Sequence, residues 1–307
     1  MSRQSNIYLM CSYPKSGNTW LRIFIHTLKQ IKLGQVDINI NSISVGNQSS
    51  NRSWIESSLG LDLSELSHDE IDLLRPVAYT ISSKCISEPA YIKVHDAYSL
   101  NSHGNPIFPK ESVNRAVYIV RNPLDIVVSL AHHDAKDIDT TIEKVNDSSY
   151  AVCSNPSRFA SQLRQKLFSW SEHVQSWVQQ SQIPTFVVRY EDMLRAPVTT
   201  FTSIAEFLHL SFDDSSIQTA IDTCHINKLK QQESELGFRE KPNEAERFFR
   251  KGIVGDWKNH LNDNQMNQII DTNREMILKL GYLDQEGHPC IKHSPFIDEI
   301  NSRVIAK

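Results

Sequence analysis

Ser12-Tyr13-Pro14-Lys15-Ser16-Gly17-Asn18-Thr19-Trp20 decides how this chain is read. The stretch follows an apolar run of β character, residues 6–13. It precedes a segment in which Trp20, Phe24, Leu28 and Ile31 recur at helical spacing. A strand, a small-residue turn and a helix in that order aim several backbone N–H groups at one point. The helix dipole adds partial positive charge there, worth roughly 0.3–1 kcal/mol to a nearby anion. Lys15 places a full charge in the turn, and Gly17 lets the backbone approach closely. The pattern predicts a phosphate cradle. It is not the nucleoside triphosphate loop Gly-x-x-x-x-Gly-Lys-Ser/Thr, because no Gly-Lys dipeptide occurs in the chain. A plain βα turn with a solvated lysine is the alternative that the turn alone leaves open.

Three more apolar runs, 90–95, 115–120 and 184–190, read as strands. Helical spacing spans 158–179 (Phe159, Leu163, Leu167, Trp170, Val174, Trp177) and about 198–209 (Phe201, Ile204, Ala205, Leu208). Near-continuous apolar strands separated by helices predict a parallel sheet covered on both faces. With no internal repeat, the expected architecture is one α/β domain over residues 1–307, a central parallel sheet flanked by helices. Residues 34–53, 134–157 and 231–247 read as long polar loops of the kind that serve as lids or substrate loops.

Composition narrows the function. Among 307 residues, 39% are hydrophobic and 22% charged, which is ordinary for a folded soluble protein. A net charge of −4 argues against a nucleic-acid partner bound through bulk charge. Five cysteines, none in a Cys-x-x-Cys pair, read as reduced thiols. The N-terminal residues lack a secretory pattern, and no apolar run approaches the ~18 residues of a membrane span. The expected location is the cytoplasm, with no membrane span.

Three other stretches carry chemistry. Arg121 ends a strand, Asn122 and Pro123 suit a helix start, and Ser129 lies nearly two turns on, so Arg121 and Ser129 can share a phosphate. Phe248-Phe249-Arg250-Lys251-Gly252 offers two cations, an open N–H and rings that can stack on a flat base. Lys93 and His95 face one side of a strand near its carboxyl end, where open α/β sheets bind ligands. Histidine is the side chain best suited to accept a proton near neutral pH. His132-His133-Asp134 is a tempting metal triplet, but consecutive helical residues diverge. His288, Cys290 and His293 lie in a segment that reads as irregular. No metal site is expected.

These stretches, in this order, resemble the sulfotransferase family that uses 3′-phosphoadenosine 5′-phosphosulfate (PAPS). Ser12–Trp20 resembles its 5′-phosphosulfate loop and Arg121–Ser129 its 3′-phosphate segment. Arg250-Lys251-Gly252-x-x-Gly255-Asp256-Trp257-Lys258 resembles its C-terminal signature. Trp170-x-x-His173-Val174-x-x-Trp177 and Arg189-Tyr190-Glu191-Asp192-Met193 also fit its pattern. The likeness covers about residues 7–261, leaving 262–307 as a C-terminal helix and tail.

The resemblance implies a P-loop-like sulfotransferase fold and transfer of a sulfuryl group from PAPS to a hydroxyl or amine of a small-molecule or glycan acceptor. It implies adenosine 3′,5′-bisphosphate as product and no metal. Lys15, Ser16, Gly17, Asn18 and Thr19 would hold the 5′-phosphate. Arg121, Ser129, Arg250, Lys251 and Gly252 would hold the 3′-phosphate, and Trp20, Tyr190 and Phe249 would flank the adenine. His95 would be the general base, with Lys15, Lys93 and Ser129 beside the reaction. Asp96 follows His95 where many members carry an apolar residue, so it could orient His95, bind a polar acceptor or cap a loop. His225-Ile226 stands where the family often has Ser-Phe. The family's dimerisation stretch is absent, so the oligomeric state is not inherited. Residues 34–53 with His132, His133 and Asp134 lean toward a hydroxylated polar acceptor. A P-loop-type small-molecule kinase and an inert nucleotide-binding homologue are the competing readings.

Overall fold

The structure is a computed structural model that describes residues 5–35, 38–43, 48–155 and 160–305. Strand β1 (Ile7–Ser12) is buried along its whole length. It pairs in parallel with β2 (Ala90–Val94) on one side and β3 (Arg115–Val120) on the other, and β3 pairs in parallel with β6 (Thr185–Arg189). The sheet order is β2-β1-β3-β6. The chain reverses direction across the sheet between β1 and β3, which opens a crevice beyond their carboxyl ends.

Both faces are covered, as the unbroken apolar strands require. Ile7, Leu9 and Tyr118 point into one core layer with Leu124, Trp170 and Trp177. Tyr8, Met10, Val117 and Ile119 point into the other, against Leu21, Phe24, Phe201 and Ile204. The second layer comes from α1 (Asn18–Lys32) and α8 (Pro197–Phe207), and the first includes α4 (Pro123–Asp134) and α6 (Trp170–Gln175).

The expected helix over 158–179 is corrected. Phe159 lies outside the described residues. Leu163 packs into a small separate cluster with Ile55, Leu63 and Ile71, and Gln165–Lys166 (β5) pairs antiparallel with Ala151–Val152 (β4). Phe168 takes a positive φ of 58°. Ser169 then opens α6 with a capping box to Glu172. Leu163 and Leu167 keep a helical spacing from Trp170 although their own backbone is not helical.

The loops are also shorter than expected. Within 134–157 lies α5 (Ile138–Asn146), capped by Asp137, with Ile142 and Val145 in the core. The stretch 231–247 begins as the end of α10 (Ile226–Leu236). Residues 34–53 hold a short 3₁₀ turn, Ile40–Ser42, and the start of α2 (Arg52–Leu59). Residues 36–37 and 44–47 lie outside the described residues. Past 262, α11 (Asp263–Lys279) and α12 (Pro295–Ile305) cover the sheet. Asn301 of α12 accepts from Val187 N–H at 2.8 Å and donates to its carbonyl at 2.9 Å, closing the free edge of β6.

Asp96 does none of the three things its position suggested. Its carboxylate accepts from Arg75 Nη1 at 2.7 Å and from Ser49 Oγ at 2.8 Å, both buried. Arg75 rises from α3 (His68–Cys85) and ties that helix to the end of β2. Removing one partner strands the other charge. Asp96→Ala is therefore expected to cost about 3–5 kcal/mol in urea denaturation. An Arg75→Met/Asp96→Leu pair should recover most of that loss, whereas two exposed partners would give no such recovery.

Candidate active site

All four strands of the sheet end at one cavity of about 610 Å³. The turn after β1 brings Lys15, β2 carries Lys93 with His95 just beyond its end, Arg121 follows β3, and Tyr190 follows β6. Ser129 reaches it from α4, and Phe249, Arg250, Lys251 and Gly252 close it from the C-terminal signature. Lys15, the Arg250-Lys251 pair and His95 thus share one wall system. Among the predicted residues Ser16 alone is off the wall: it is buried, and its Oγ has no hydrogen-bond partner.

The cradle has the geometry that its sequence requires. Lys15 has φ 68° and Gly17 φ 102°, so the turn's N–H groups converge. A Cβ on Gly17 would stand 2.7 Å from Tyr190 Cδ2, which adds a packing reason for glycine. Asn18 Nδ2 donates to the Met10 carbonyl at 2.7 Å and to Ser12 Oγ at 3.3 Å, inside the turn. The first turn of α1 carries no acidic residue and leaves N–H groups unpaired.

Arg121 binds three segments. Nη1 donates to the Lys15 carbonyl at 3.0 Å, Nη2 donates to the Ile253 carbonyl at 3.2 Å, and the guanidinium lies 4.4 Å from the Tyr190 ring centroid. Its Nε is buried without a partner. Trp20 meets Tyr190 edge-on at 6.0 Å and donates through Nε1 to Cys224 Sγ at 3.2 Å. Ile226 packs so closely on Gly252 that a Cβ there would meet it at 2.7 Å. An aliphatic side chain thus stands where the family often has Phe. Phe249 is buried against Phe238 and Phe248, with an edge on the cavity.

Two carboxylates organise the cations. Asp256 takes Arg250 Nη2 and Lys251 Nζ, each at 2.6 Å. Burial works to raise its carboxyl, but those two hydrogen bonds outweigh it and hold the group well below the usual range. Asp125 accepts from Gly255 N–H at 2.8 Å and Trp257 N–H at 3.1 Å, fixing the signature loop to α4. Glu240 pairs with Arg22 at 2.8 Å and Lys93 at 3.1 Å. Burial opposes its charge, yet Lys93 and Arg22 bring it down to about 2. Nothing in its charged neighbourhood marked Glu240 in the sequence, since its partners lie on α1 and β2.

His95 Nδ1 sits 2.8 Å from the Ser12 carbonyl, so Nδ1–H donates and Nε2 carries the lone pair. Burial first, and the Lys93 charge second, pull its pKa down to about 3, so the ring is neutral. Behind it, His173 Nε2 lies 3.0 Å from the His95 carbonyl and His173 Nδ1 lies 2.9 Å from Tyr118 Oη. Lys15 is half-buried, 4.5 Å from the Phe248 centroid. Burial, then Arg121, then Lys93 draw its pKa down to about 7. Of the other histidines noted in the sequence, His288 pairs with Asp284 at 3.5 Å and His293 with Asp298 at 2.8 Å, both outside the cavity wall.

The sulfotransferase domain family model matches residues 6–281, and the chain belongs to that family. It is 24% identical to cytosolic sulfotransferase 16 of Arabidopsis thaliana, over 91% of this chain and 78% of the relative. It is 28% identical to sulfotransferase 2A6 of Rattus norvegicus, over 82% and 78%. It is 25% identical to flavonol 3-sulfotransferase of Flaveria bidentis, over 86% and 79%. Its fold is shared with a mouse sulfotransferase solved with PAP, at TM-score 0.57 and 20% identity over 100% of this chain and 90% of the other. Retinol dehydratase in complex with androsterone and PAP gives TM-score 0.60 and 18% identity over 90% and 82%. No helix among the described residues is long and apolar enough to cross a membrane.

With Lys15 at about 7 in the free protein, an arriving phosphate must raise that pKa. Binding then takes up a proton above neutrality and weakens as pH climbs through about 7. Calorimetry of adenosine 3′,5′-bisphosphate at about pH 8, in buffers of different ionisation enthalpy, is expected to show uptake approaching one proton. Lys15→Met should abolish the uptake. Equal heats in all buffers for the unaltered protein would mean that Lys15 is already charged.

Proposed function

We propose that this chain transfers the sulfuryl group of PAPS to a hydroxyl or amine of a small-molecule or glycan acceptor, with His95 as general base. One observation carries the reading: the Lys15 turn, the Arg121/Ser129 pair, the Arg250-Lys251-Gly252 stretch and Lys93/His95 all line one cavity. The buried Nε of Arg121, a residue of that wall, has no protein partner, and a bisphosphate offers an acceptor for it. Bound there, PAPS supplies an activated sulfuryl group with adenosine 3′,5′-bisphosphate as the leaving group.

The side chains then divide the work. Lys15 and the helix N-terminus hold the 5′ end with Gly17, Asn18 and Thr19. Arg121, Ser129, Arg250, Lys251 and Gly252 hold the 3′-phosphate, while Trp20, Tyr190 and Phe249 bound the adenine. His95 Nε2 takes the acceptor's proton, a contribution of typically 10²–10⁴-fold. Lys15 and Lys93 place positive charge where negative charge grows. A sulfuryl group carries less negative charge than a phosphoryl group, so a metal clamp is not called for. We take residues 1–307 as one domain that works in the cytoplasm, as the names of several relatives suggest for those proteins.

Two rivals are addressed by the same experiment. A kinase would prefer ATP with magnesium, and an inert homologue would bind nucleotide without turnover. Purified protein, PAPS and a panel of phenols, alcohols, sugars and amines are expected to yield adenosine 3′,5′-bisphosphate. His95→Ala should lower the rate by about 10² or more while keeping the bisphosphate-induced rise in melting temperature. A larger rise with ATP and magnesium than with the bisphosphate would favour the kinase.

A further inference from the structure

α4 ends on His132-His133-Asp134, and the last two residues line the same cavity as His95. His132 turns away and sets its ring edge-on to His260 at 5.5 Å. His133 Nδ1 lies 2.9 Å from Asp134 Oδ1, and Lys144 Nζ lies 3.4 Å from Asp134 Oδ2. Burial works to raise the Asp134 carboxyl, but the His133 hydrogen bond and the Lys144 charge outweigh it and lower its pKa. A carboxylate accepts, so His133 Nδ1 donates, and in the neutral ring the lone pair sits on Nε2. No hydrogen-bond partner of that nitrogen occurs among the described residues. Phe248 meets the imidazole edge-on at 6.4 Å, and the same phenyl ring lies 4.5 Å from Lys15 Nζ. Tyr150, Gln162 and Gln165 extend this part of the wall with polar groups.

The cavity therefore holds two imidazoles, each oriented through Nδ1: His95 by a carbonyl and His133 by a carboxylate. We propose that His133, positioned by Asp134, is an acceptor-binding site that receives a hydroxyl or amine N–H other than the one being sulfated. The proposal rests on the sulfotransferase reading and narrows the acceptor to molecules with two separated hydrogen-bond donors, such as diols, polyols and glycosides. A site built to receive an O–H rejects the analogue that lacks it, because the imidazole is then left unpaired. No covalent step occurs at His133.

The test compares kcat/KM, with PAPS, for α,ω-diols from butane to octane against the 1-alkanols of equal length. The best diol is expected to exceed its alkanol by roughly tenfold or more, beyond the about twofold statistical gain of two equivalent hydroxyls. His133→Leu should bring that ratio down to the statistical value. His133→Gln, which keeps a hydrogen-bond acceptor, should retain part of it. Asp134→Asn should lower the ratio mainly through the diol KM. The bisphosphate thermal shift checks that each variant is folded. A wild-type ratio at the statistical value, or an unchanged ratio in His133→Leu, overturns the proposal while leaving PAPS turnover standing. Absence of turnover on both series overturns it as well, and the wild-type thermal shift then shows whether the nucleotide reading falls with it.

Discussion

Arg121 leaves the end of β3 and binds the Lys15 carbonyl, the Ile253 carbonyl and the face of Tyr190. Those partners lie far apart in the chain, in the turn after β1, the C-terminal signature and the end of β6. A charged donor gives each carbonyl a stronger bond than a neutral one, and the planar guanidinium serves both carbonyls and the ring without a change of rotamer. These three segments are thus held in register by one side chain. Asp125 does the same for the outer part of the signature through Gly255 and Trp257.

The cavity concentrates cations, and the protein manages their repulsion with buried carboxylates. Asp256 holds Arg250 and Lys251, and Glu240 holds Lys93 and Arg22. Among the described residues Lys15 has no such partner; it lies against the Phe248 ring and feels the Arg121 charge. Burial, then the Arg121 and Lys93 charges, bring the Lys15 pKa down to about 7, so an added negative charge beside it would raise it again. His95 is affected by the same field: burial first and the Lys93 charge second keep its ring neutral, with the Nε2 lone pair free.

The acceptor side is organised by the same kinds of group, a carbonyl and a carboxylate. His95 and His133 are each aligned through Nδ1, so each offers Nε2 to whatever enters. This places discrimination among acceptors on residues that the nucleotide does not need, and lets α4 contribute both Ser129 and His133 to the cavity.

The parallel sheet, the cradle and the cation-bearing stretches were legible in the chain because each is local. An apolar strand, a turn with Lys15 and Gly17, and an Arg-Lys-Gly run carry their signals within a few residues. The stretch 158–179 was misread because helical spacing persists through Leu163 and Leu167, which reach different clusters from a non-helical backbone; the Ser169-x-x-Glu172 box marks the real start. α5 was hidden by its polar flanks, although Ile138, Ile142 and Val145 keep its period. Tertiary structure alone decided that Asp96 belongs to Arg75 and not to His95, that Glu240 reaches Lys93, and that His133 faces the cavity while His132 does not. Sequence spacing fixes direction along one element, whereas these pairings depend on where separate elements meet, and burial makes each of them obligatory only after they have met.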